Sequence, residues 1–385
     1  MCGIAGLVDR SGRDEGALTR TAQAMGAAIA HRGPDGDGIW VDADAGVAFA
    51  HRRLAILGLG PGGAQPMVSA DGRWTICYNG EVYNFEEMRR HPALADVAWR
   101  GHSDTEVILE SVARRGLDAT LAGMNGMFAV ALFDRRERRL HLVRDRLGIK
   151  PLYFRAEGGR VLFGSELKAL RAAGGAFDVD PSALASYLRL YYVPGNRSIF
   201  AGVEKLRPGE IVEVEADGRV ARGVYWSASE AAATGLADPF TGSDEEAEAA
   251  LHDLLRDAVQ SQMISEVPLG VFLSGGIDSA TIAALAASGS DRVRTFSIGF
   301  PDLGYDEAPH AEAVARHLGT EHTTLTVTPK EALDVVPQLP EMYDEPFADS
   351  SQIPTHLVSK LSRDHVTVAL SGDGGDELFG GYTRH

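Results

Sequence analysis

Short apolar runs separated by turn-forming residues dominate the chain up to about residue 170. The segments "WTICYNG", "MFAVALFD", "LHLVRD" and "VLFGSE" are rich in β-branched and aromatic residues and are bounded by Gly, Asp or Arg, which predicts strands. The stretch "TEVILESVARRG" has helical spacing instead. We therefore expect this half of the chain to form layers of sheet and helix.

The pattern loosens from Pro181 to about Ser243, where "VPGNRSIFAGVEKLRPG" and "AAATGLADPFTG" are typical of a connector and a surface loop. A second domain begins at "SDEEAEAALHDLLRDAVQSQM", in which Ser243 and Glu246 have the spacing of a capping box. The apolar positions of this helix share one face: Leu251, Leu254, Leu255, Ala258 and Val259. Beyond it, the runs "LGVFL", "RTFSIGF" and "VTVAL" alternate with the helical stretches "DSATIAALAA" and "DEAPHAEAVARHLG", which predicts strand-helix-strand units around a parallel sheet.

Composition and charge limit the class of protein and its cellular location. The 385 residues suggest two domains, and a hydrophobic fraction of 44% is that of an ordinary globular protein. The formal charge of -17 argues against nucleic acid as a partner, because phosphate backbones are bound by excess Lys and Arg. No apolar run has membrane-spanning length, the first residues lack a secretory pattern, and the two cysteines, Cys2 and Cys77, are too few for a disulfide framework. We therefore expect a cytoplasmic protein with no membrane partner.

The segment "GVFLSGGIDSA" carries the clearest chemical signal in the second domain. A buried strand leads into Ser274, Gly275 and Gly276, and a helix starts at once with Asp278 and Ser279 in its first turn. Glycines let the backbone turn tightly, so amide N–H groups, hydroxyls and the positive helix end converge on one anion. The loop lacks the lysine of a Walker A motif. Its phosphate charge therefore calls for a metal ion, which Asp278 is placed to help hold.

A second glycine-rich acidic loop, "SGDGGDELFGGY", follows the strand "VTVAL". In open α/β sheets, ligands bind at the carboxyl ends of parallel strands. Two such loops after two parallel strands favour a magnesium-nucleotide site.

The complete series of motifs resembles the glutamine-hydrolysing asparagine synthetases, which are class II amidotransferases. The segments "MCGIAG", "HRGPDG", "HRRLAI", "YNGEVYN", "SDTEVIL", "RDRLGIKPLY", "SGGIDS" and "SGDGGDELFGGY" occur in the order of that family and cover essentially the whole chain. The resemblance implies an N-terminal nucleophile (Ntn) glutaminase of four αββα layers over residues 2–218, connector included. It further implies a Rossmann-like α/β domain of the ATP-pyrophosphatase (PP-loop) type over 243–385.

The cysteine at position 2 then has a chemical explanation. A thiol is nucleophilic as its thiolate and needs a nearby base. If Met1 is removed, Cys2 carries its own base, an α-amine with a pKa of roughly 7.7 to 8.0. Cys77 lies inside a strand-like run and is expected in the core.

The resemblance also implies roles for other residues of the glutaminase half. Asn79 and Gly80 correspond to the oxyanion hole, Glu81 and Asp104 to groups that hold the glutamine amine, and Arg53 to the residue that binds its α-carboxylate. Arg52 lies beside Arg53 and is easily mistaken for it. His31 and Arg32 are expected to shape the pocket rather than to do chemistry.

In the synthetase half the resemblance implies an ATP site and a metal site. Its ATP-contacting positions are Leu273, Ser274, Gly275, Gly276, Asp278, Ser279, Ile298, Ser371 and Gly372. Asp373 and Asp376 belong to the acidic adenylation loop, and Asp278 and Asp376 are the metal ligands. Asp373 stands where some members of the family carry Glu. The stretch "DEPFADSSQIPT" is expected to line the acceptor pocket.

The implied reaction is asparagine synthesis from glutamine, aspartate and ATP with Mg2+. Cys2 releases ammonia from glutamine, ATP adenylates the aspartate β-carboxylate, and ammonia displaces AMP. Because most ammonia is protonated in water, we expect an enclosed route between the sites. The family resemblance is compatible with a homodimer. It also implies that the synthetase domain continues past "GGYTRH", so that this chain holds only its N-terminal portion.

Two other readings remain open. A related amidotransferase that amidates a cell-wall or exopolysaccharide precursor would keep every motif named above. A non-catalytic relic of the fold has no chemical need for Cys2, Asn79, Asp278 and Asp376 together. A β-lactam synthetase relative is disfavoured because that branch has no use for the thiol.

Overall fold

The computed structural model describes residues 1–10, 14–290, 292–300 and 306–382. Contacts divide these residues into two units. Unit 1 comprises Met1–Pro239 and Tyr343–Ala348, and unit 2 comprises Phe240–Met342 and Asp349–His385. Residues 383–385 lie outside the described residues.

Unit 1 is built on two six-stranded sheets in which all neighbouring strands are antiparallel. Its strands are β1 (Gly3–Asp9), β2 (Gly36–Asp42), β3 (Val47–Arg53), β4 (Met67–Val68), β5 (Trp74–Val82), β6 (Gly126–Asp134), β7 (Arg139–Arg144), β8 (Tyr153–Glu157), β9 (Arg160–Gly164), β10 (Glu204–Lys205), β11 (Glu210–Val214) and β12 (Val220–Val224). The first sheet has the order β10-β8-β9-β1-β3-β2 and the second β12-β11-β7-β6-β5-β4.

Helices cover the outer face of each sheet. They are α1 (Glu15–Ala28), α2 (Phe85–Arg89), α3 (Asp104–Arg115), α4 (Leu117–Gly123), α5 (Leu167–Ala172) and α6 (Pro181–Leu190). A further helix, α7 (Ala228–Ala237), is exposed along its whole length. One core cluster joins the facing sides of the two sheets through Phe49 and Phe133. A second packs the first sheet on α1 through Met25, and a third packs the other sheet on α3 through Ile108. The four αββα layers expected from the sequence are confirmed.

Most predicted elements of this half are confirmed, but the region after residue 180 holds more structure than we expected. "AAATGLADPFTG" was predicted as a surface loop, and its first part instead belongs to α7, which Ser227 caps by accepting from the Glu230 amide. Helix α6 begins after Asp180, which caps it in the same way. Strand β11 extends the second sheet because it pairs with β7 and buries Val212 in the intersheet core.

Unit 2 is built on one parallel sheet of four strands: β13 (Leu269–Phe272), β14 (Arg294–Gly299), β15 (Glu321–Thr326) and β16 (Val368–Leu370). Its helices are α8 (Asp244–Gln262), α9 (Ile277–Ser288), α10 (Ala308–Leu318), α11 (Pro329–Val335), α12 (Leu339–Met342), α13 (Gln352–Arg363) and α14 (Gly375–Phe379). The sheet order is β15-β14-β13-β16. The predicted parallel sheet is confirmed.

The capping box of α8 is present: Ser243 Oγ accepts from the Glu246 amide, and Glu246 Oε2 accepts from the Ser243 amide at 2.9 Å. The predicted apolar face of this helix is only partly buried. Val259 lies in the core and Leu255 packs against the same cluster, whereas Leu254 is 69% exposed. Across the described ranges, no helix combines the length and apolarity needed to cross a membrane.

Candidate active site

A pocket forms along the free edge of β5. Strand β4 pairs with β5 only at Thr75 and Ile76, so the later residues of β5 have no strand on that side. The Tyr78 amide instead donates to Gln65 Oε1 at 2.7 Å, and the Val82 amide donates to Asp104 Oδ2 at 3.1 Å. Alternate residues of a strand direct their N–H groups to the same edge. The Gly80 N–H therefore points out between these two bonds, into the pocket.

Cys2 lies at the start of β1, beside the end of β3. Its Sγ accepts from the Leu54 amide at 3.4 Å and lies 3.5 Å from the Leu54 carbonyl oxygen. Burial raises the pKa of this thiol, and the hydrogen bond with Leu54 opposes that shift. Burial also lowers the pKa of the Met1 amine from 8.0 to about 6. A neutral amine can accept the proton of a nearby thiol. The amine whose pKa is lowered here belongs to Met1, directly before Cys2.

Asn79 and Glu81 share the β5 face that carries Cys77 into the intersheet core. Within the part of the chain that the structure describes, the Asn79 Nδ2 is buried and has no hydrogen-bond partner. An unpaired buried donor is costly unless a ligand completes it. Position 80 requires glycine, because a Cβ there would lie 2.7 Å from Phe128 Cα, which is too close. The side-chain amide of Asn79 and the backbone N–H of Gly80 thus face the pocket that Cys2 also lines.

The structure separates the two neighbouring arginines. Arg53 lines the pocket, where its Nη1 and Nη2 donate to the carbonyl oxygens of Gly60 at 3.1 Å and Gly58 at 2.5 Å. Arg52 points to the opposite face of β3, and its Nε donates to the Gly26 carbonyl oxygen at 3.0 Å. The loop carbonyls therefore orient the Arg53 guanidinium at the pocket.

Two buried carboxylates complete the pocket wall. Asp104, at the first turn of α3, accepts from the Tyr78 hydroxyl at 2.8 Å and from the Thr105 amide at 2.7 Å. Burial raises the pKa of Asp104, and these hydrogen bonds oppose the rise. Burial also raises the pKa of Glu81 to about 7, with the Lys150 ammonium acting against it.

His31 and Arg32 lie behind the pocket. Arg32 Nε donates to the Cys2 carbonyl oxygen at 2.9 Å, and its Nη1 donates to Glu166 at 2.7 Å. His31 Nε2 lies 2.9 Å from the same carboxylate. Arg32 therefore holds the backbone of Cys2.

Gln65, Tyr78 and Lys150 are among the pocket residues that received no role from the sequence. Tyr78 and Lys150 lie inside the quoted motifs "YNGEVYN" and "RDRLGIKPLY", so the motifs were the available signal. Gln65 precedes a cis peptide bond to Pro66 and belongs to no quoted motif. No short-range pattern marks it, because its partner Tyr78 is 13 positions away.

The expected nucleotide-binding residues meet at the carboxyl edge of the unit 2 sheet. The chain adds β14 and β15 on one side of β13 and then crosses to place β16 on the other. This reversal is a topological switch point, where open α/β sheets bind ligands. Ser274 lies in the loop after β13 and Ser279 in the first turn of α9, and their hydroxyl oxygens are 2.8 Å apart. The Gly276 amide donates to Ser274 Oγ at 3.1 Å. Leu273 and Ile298 lie at the ends of the adjacent strands β13 and β14.

The acidic loop after β16 packs on the first turn of α9. A Cβ at Gly372 would lie 2.8 Å from the Ser279 nitrogen, and one at Gly375 would lie 2.5 Å from Asp278 Cγ. The loop therefore needs glycine to approach this closely. Asp376 follows Gly375 directly, in the first turn of α14. The Asp373 carboxylate accepts a hydrogen bond from the Ser371 hydroxyl at 2.9 Å.

This donor set fits magnesium. Asp278 lies in the first turn of α9 and Asp376 in the first turn of α14. Magnesium at nucleotide sites uses one or two such carboxylates together with substrate phosphates. Among the described residues, no group of three or more His, Cys, Asp or Glu is arranged to hold a metal without a substrate.

The start of "DEPFADSSQIPT" lies in unit 1, within the segment Tyr343–Ala348. Lys168 Nζ lies 3.5 Å from Asp344 Oδ1, and Lys205 Nζ pairs with Glu345. Glu345 also accepts from the Ile199 amide at 2.9 Å. These two carboxylates are therefore occupied by lysines of unit 1.

Comparison with known proteins places this arrangement in a class. Residues 1–226 match the family model described as a glutamine amidotransferase domain, and residues 250–385 match the one described as asparagine synthase. The chain thus joins a glutamine amidotransferase domain to an asparagine synthase domain.

Relatives match along the whole chain. Glutamine-hydrolyzing asparagine synthetase 1 of Bacillus subtilis is 35% identical over 99% of this chain and 59% of its own length. Asparagine synthetase 3 of that organism is 34% identical over 99% and 63%. The Methanocaldococcus jannaschii protein named "Putative asparagine synthetase (glutamine-hydrolyzing) 2" is 35% identical over 100% and 76%. The chain belongs to the glutamine-hydrolysing asparagine synthetase family. It spans about three-fifths of the length of the two Bacillus relatives.

Proposed function

We propose that the chain is the glutamine-hydrolysing and ATP-binding part of an enzyme that makes asparagine. The observation that carries the glutaminase half is the buried, unpaired Nδ2 of Asn79 beside the outward N–H of Gly80, in the pocket that Cys2 lines. Two donors aimed at one point stabilise the negative charge that develops on a carbonyl oxygen.

The proposed glutaminase reaction starts with removal of Met1. The Cys2 amine then accepts the thiol proton, and the thiolate attacks the side-chain amide carbon of glutamine. Asn79 and Gly80 donate to the resulting oxyanion. Collapse breaks the C–N bond, and the amine returns the proton to the departing ammonia. Water hydrolyses the thioester to glutamate and restores the thiol.

The two charged groups of glutamine are assigned to pocket residues of opposite charge. Arg53 binds the α-carboxylate of glutamine because its guanidinium is a planar donor fork held at the pocket. Glu81 and Asp104 bind the α-ammonium group, which supplies the cation that two buried carboxylates require.

In unit 2 we propose that the loops after β13 and β16 bind ATP. Ser274, Gly276 and Ser279 bind the pyrophosphate portion, and Asp278 and Asp376 would hold Mg2+, whose charge offsets that of the phosphates. The aspartate β-carboxylate attacks the α-phosphorus, pyrophosphate leaves, and ammonia then displaces AMP. The proposal includes a cytoplasmic location, consistent with Cys2 and Cys77 both being free thiols.

The test uses the intact gene product with ATP, magnesium and glutamine, with and without aspartate, and mass spectrometry of the products. We expect asparagine, AMP and pyrophosphate only when aspartate is present. Glutamate released without asparagine would reject aspartate as the acceptor while keeping the glutaminase. Two variants give matched controls. Cys2→Ala should lose glutamine-dependent synthesis but retain synthesis from ammonium salts, and Asp278→Asn should lose AMP formation but retain glutamate release.

A further inference from the structure

Lys150 is a buried lysine for which the proposed reaction has no role. Its exposure is 5%, and it lines the pocket together with Cys2 and Glu81. Its backbone is fixed on both sides: its amide donates to Asp145 Oδ2 at 2.9 Å, and its carbonyl oxygen accepts from Arg144 Nε at 2.9 Å. Buried lysines are rare unless they are paired. The position of this ammonium group is therefore built into the turn after β7.

The partner of Lys150 is unusual. Among the described residues, its Nζ has one hydrogen-bond partner, the Met1 Sδ at 2.9 Å. A thioether is a weak acceptor. Removal of Met1 would take this partner away, so the ammonium group would face the pocket with no close hydrogen-bond acceptor of its own.

Four other charged or titratable groups act on Lys150, and they come from different elements. Glu81 projects from β5, Arg32 from the turn after α1, Asp145 from the turn after β7, and Cys2 from the start of β1. Burial lowers the pKa of Lys150, and Glu81 opposes that shift.

The Lys150 charge in turn shifts the pKa values of its neighbours. The Lys150 charge lowers the pKa of the Met1 amine, together with burial and Arg32. It also acts against the burial that raises the pKa of Glu81. A cation in a buried site disfavours a second cation and favours an anion nearby. Because of both effects, the amine stays neutral and the Glu81 carboxylate stays ionised at a lower pH than they would without Lys150.

We infer that Lys150 is a positioning residue of the glutaminase: its ammonium group, fixed in the wall of the pocket that Cys2 and Glu81 also line, acts on the amine freed by removal of Met1 and on the Glu81 carboxylate. The inference rests on the proposed glutaminase function. It assigns Lys150 no contact with the reacting atoms; the residue acts through the base and through the group that binds the substrate amine.

The test compares Lys150→Met with the wild-type intact gene product. Methionine keeps an unbranched side chain of similar length without the charge. We would measure glutamine hydrolysis from about pH 5.5 to about pH 9, together with the rate at which iodoacetamide alkylates Cys2. The acid limbs of kcat, kcat/KM and alkylation should all move up by about one pH unit. The plateau of kcat at high pH should fall much less than the rate at pH 6.

Two variants separate charge from packing. Lys150→Arg keeps the charge and should keep the wild-type acid limbs. Lys205→Met removes another lysine of low exposure in unit 1, which pairs with Glu345 outside the pocket, and should leave the limbs in place. If Lys150→Met does not fold, Lys150→Gln takes its place in the same measurements.

The outcomes distinguish this inference from the function on which it rests. Unchanged acid limbs in the uncharged variant, whatever its maximal rate, would overturn the role of Lys150. Glutamate release by Cys2→Ala at the wild-type rate would overturn the glutaminase assignment itself. An inactive Cys2→Ala with unchanged limbs in Lys150→Met would reject only the inference about Lys150.

Discussion

The hydroxyl of Tyr78 donates to the Asp104 carboxylate at 2.8 Å, and both side chains are buried. This bond joins β5 to the first turn of α3, on the pocket wall assigned to the glutamine amine. It also opposes the effect of burial, which raises the pKa of Asp104.

Tyr78→Phe should therefore weaken glutamine binding. Loss of the donor raises the pKa of Asp104 further, so a larger fraction of this carboxyl is protonated and unable to hold the substrate ammonium. We expect KM for glutamine to rise about tenfold or more, and more steeply at pH 6 than at pH 8, with a smaller change in kcat. Tyr83→Phe, in the same motif but outside the pocket, is the matched control and should keep the wild-type KM.

Asn79→Ala should slow chemistry rather than binding. The variant removes the side-chain donor of the oxyanion hole, which acts mainly when charge develops on the carbonyl oxygen. We expect kcat for glutamine hydrolysis to fall by about 10²- to 10³-fold with KM nearly unchanged. A rise in KM with kcat retained would instead show that Asn79 binds the ground state.

The pH dependence of glutamine hydrolysis should have an acid limb near neutrality. Glu81, with its pKa raised to about 7, loses its charge as the pH falls through that value. Burial lowers the pKa of the Met1 amine to about 6, and we expect the Cys2 amine that replaces it after removal of Met1 to become protonated over a nearby range. Loss of both groups should make kcat/KM fall more steeply than one proton allows.

Glu81→Gln should leave a shallower, one-proton limb. The control is His51→Gln, because burial lowers the pKa of His51 to about 4, far below this range. A limb that disappears in the His51 variant would assign the acid titration to that imidazole and contradict our assignment.

Glu345→Ala should destabilise unit 1. The substitution leaves the Lys205 ammonium and the Ile199 amide without this carboxylate, which is 14% exposed. We expect the free energy of unfolding to fall by about 2 kcal/mol and the melting temperature by about 5 °C in calorimetry. Glu345→Gln keeps an acceptor for the Ile199 amide and should lose less. Equal stability of wild type and Glu345→Ala would show that the segment Tyr343–Ala348 adds nothing to unit 1.

Local patterns predicted most of the elements that carry chemistry. The strands around "WTICYNG" and "MFAVALFD" and the helix of "TEVILESVARRG" were recognisable because side-chain periodicity is a short-range property. The parallel sheet and its two glycine loops were predictable for the same reason. The loosely patterned stretch after Pro181 was not, because α7 is rich in alanine and carries little periodicity, and β11 becomes a strand by pairing with the distant β7.

The sequence by itself determined which chemical groups this protein possesses: a cysteine at position 2, the amide of Asn79, the paired acidic side chains and the two glycine loops. The tertiary structure decided which of them work together. It turned Arg53 to the pocket and Arg52 away, buried Lys150 beside Glu81, and joined Glu345 to Lys205. These relationships connect residues far apart in the chain, so they arise only when packing brings separate strands and loops together.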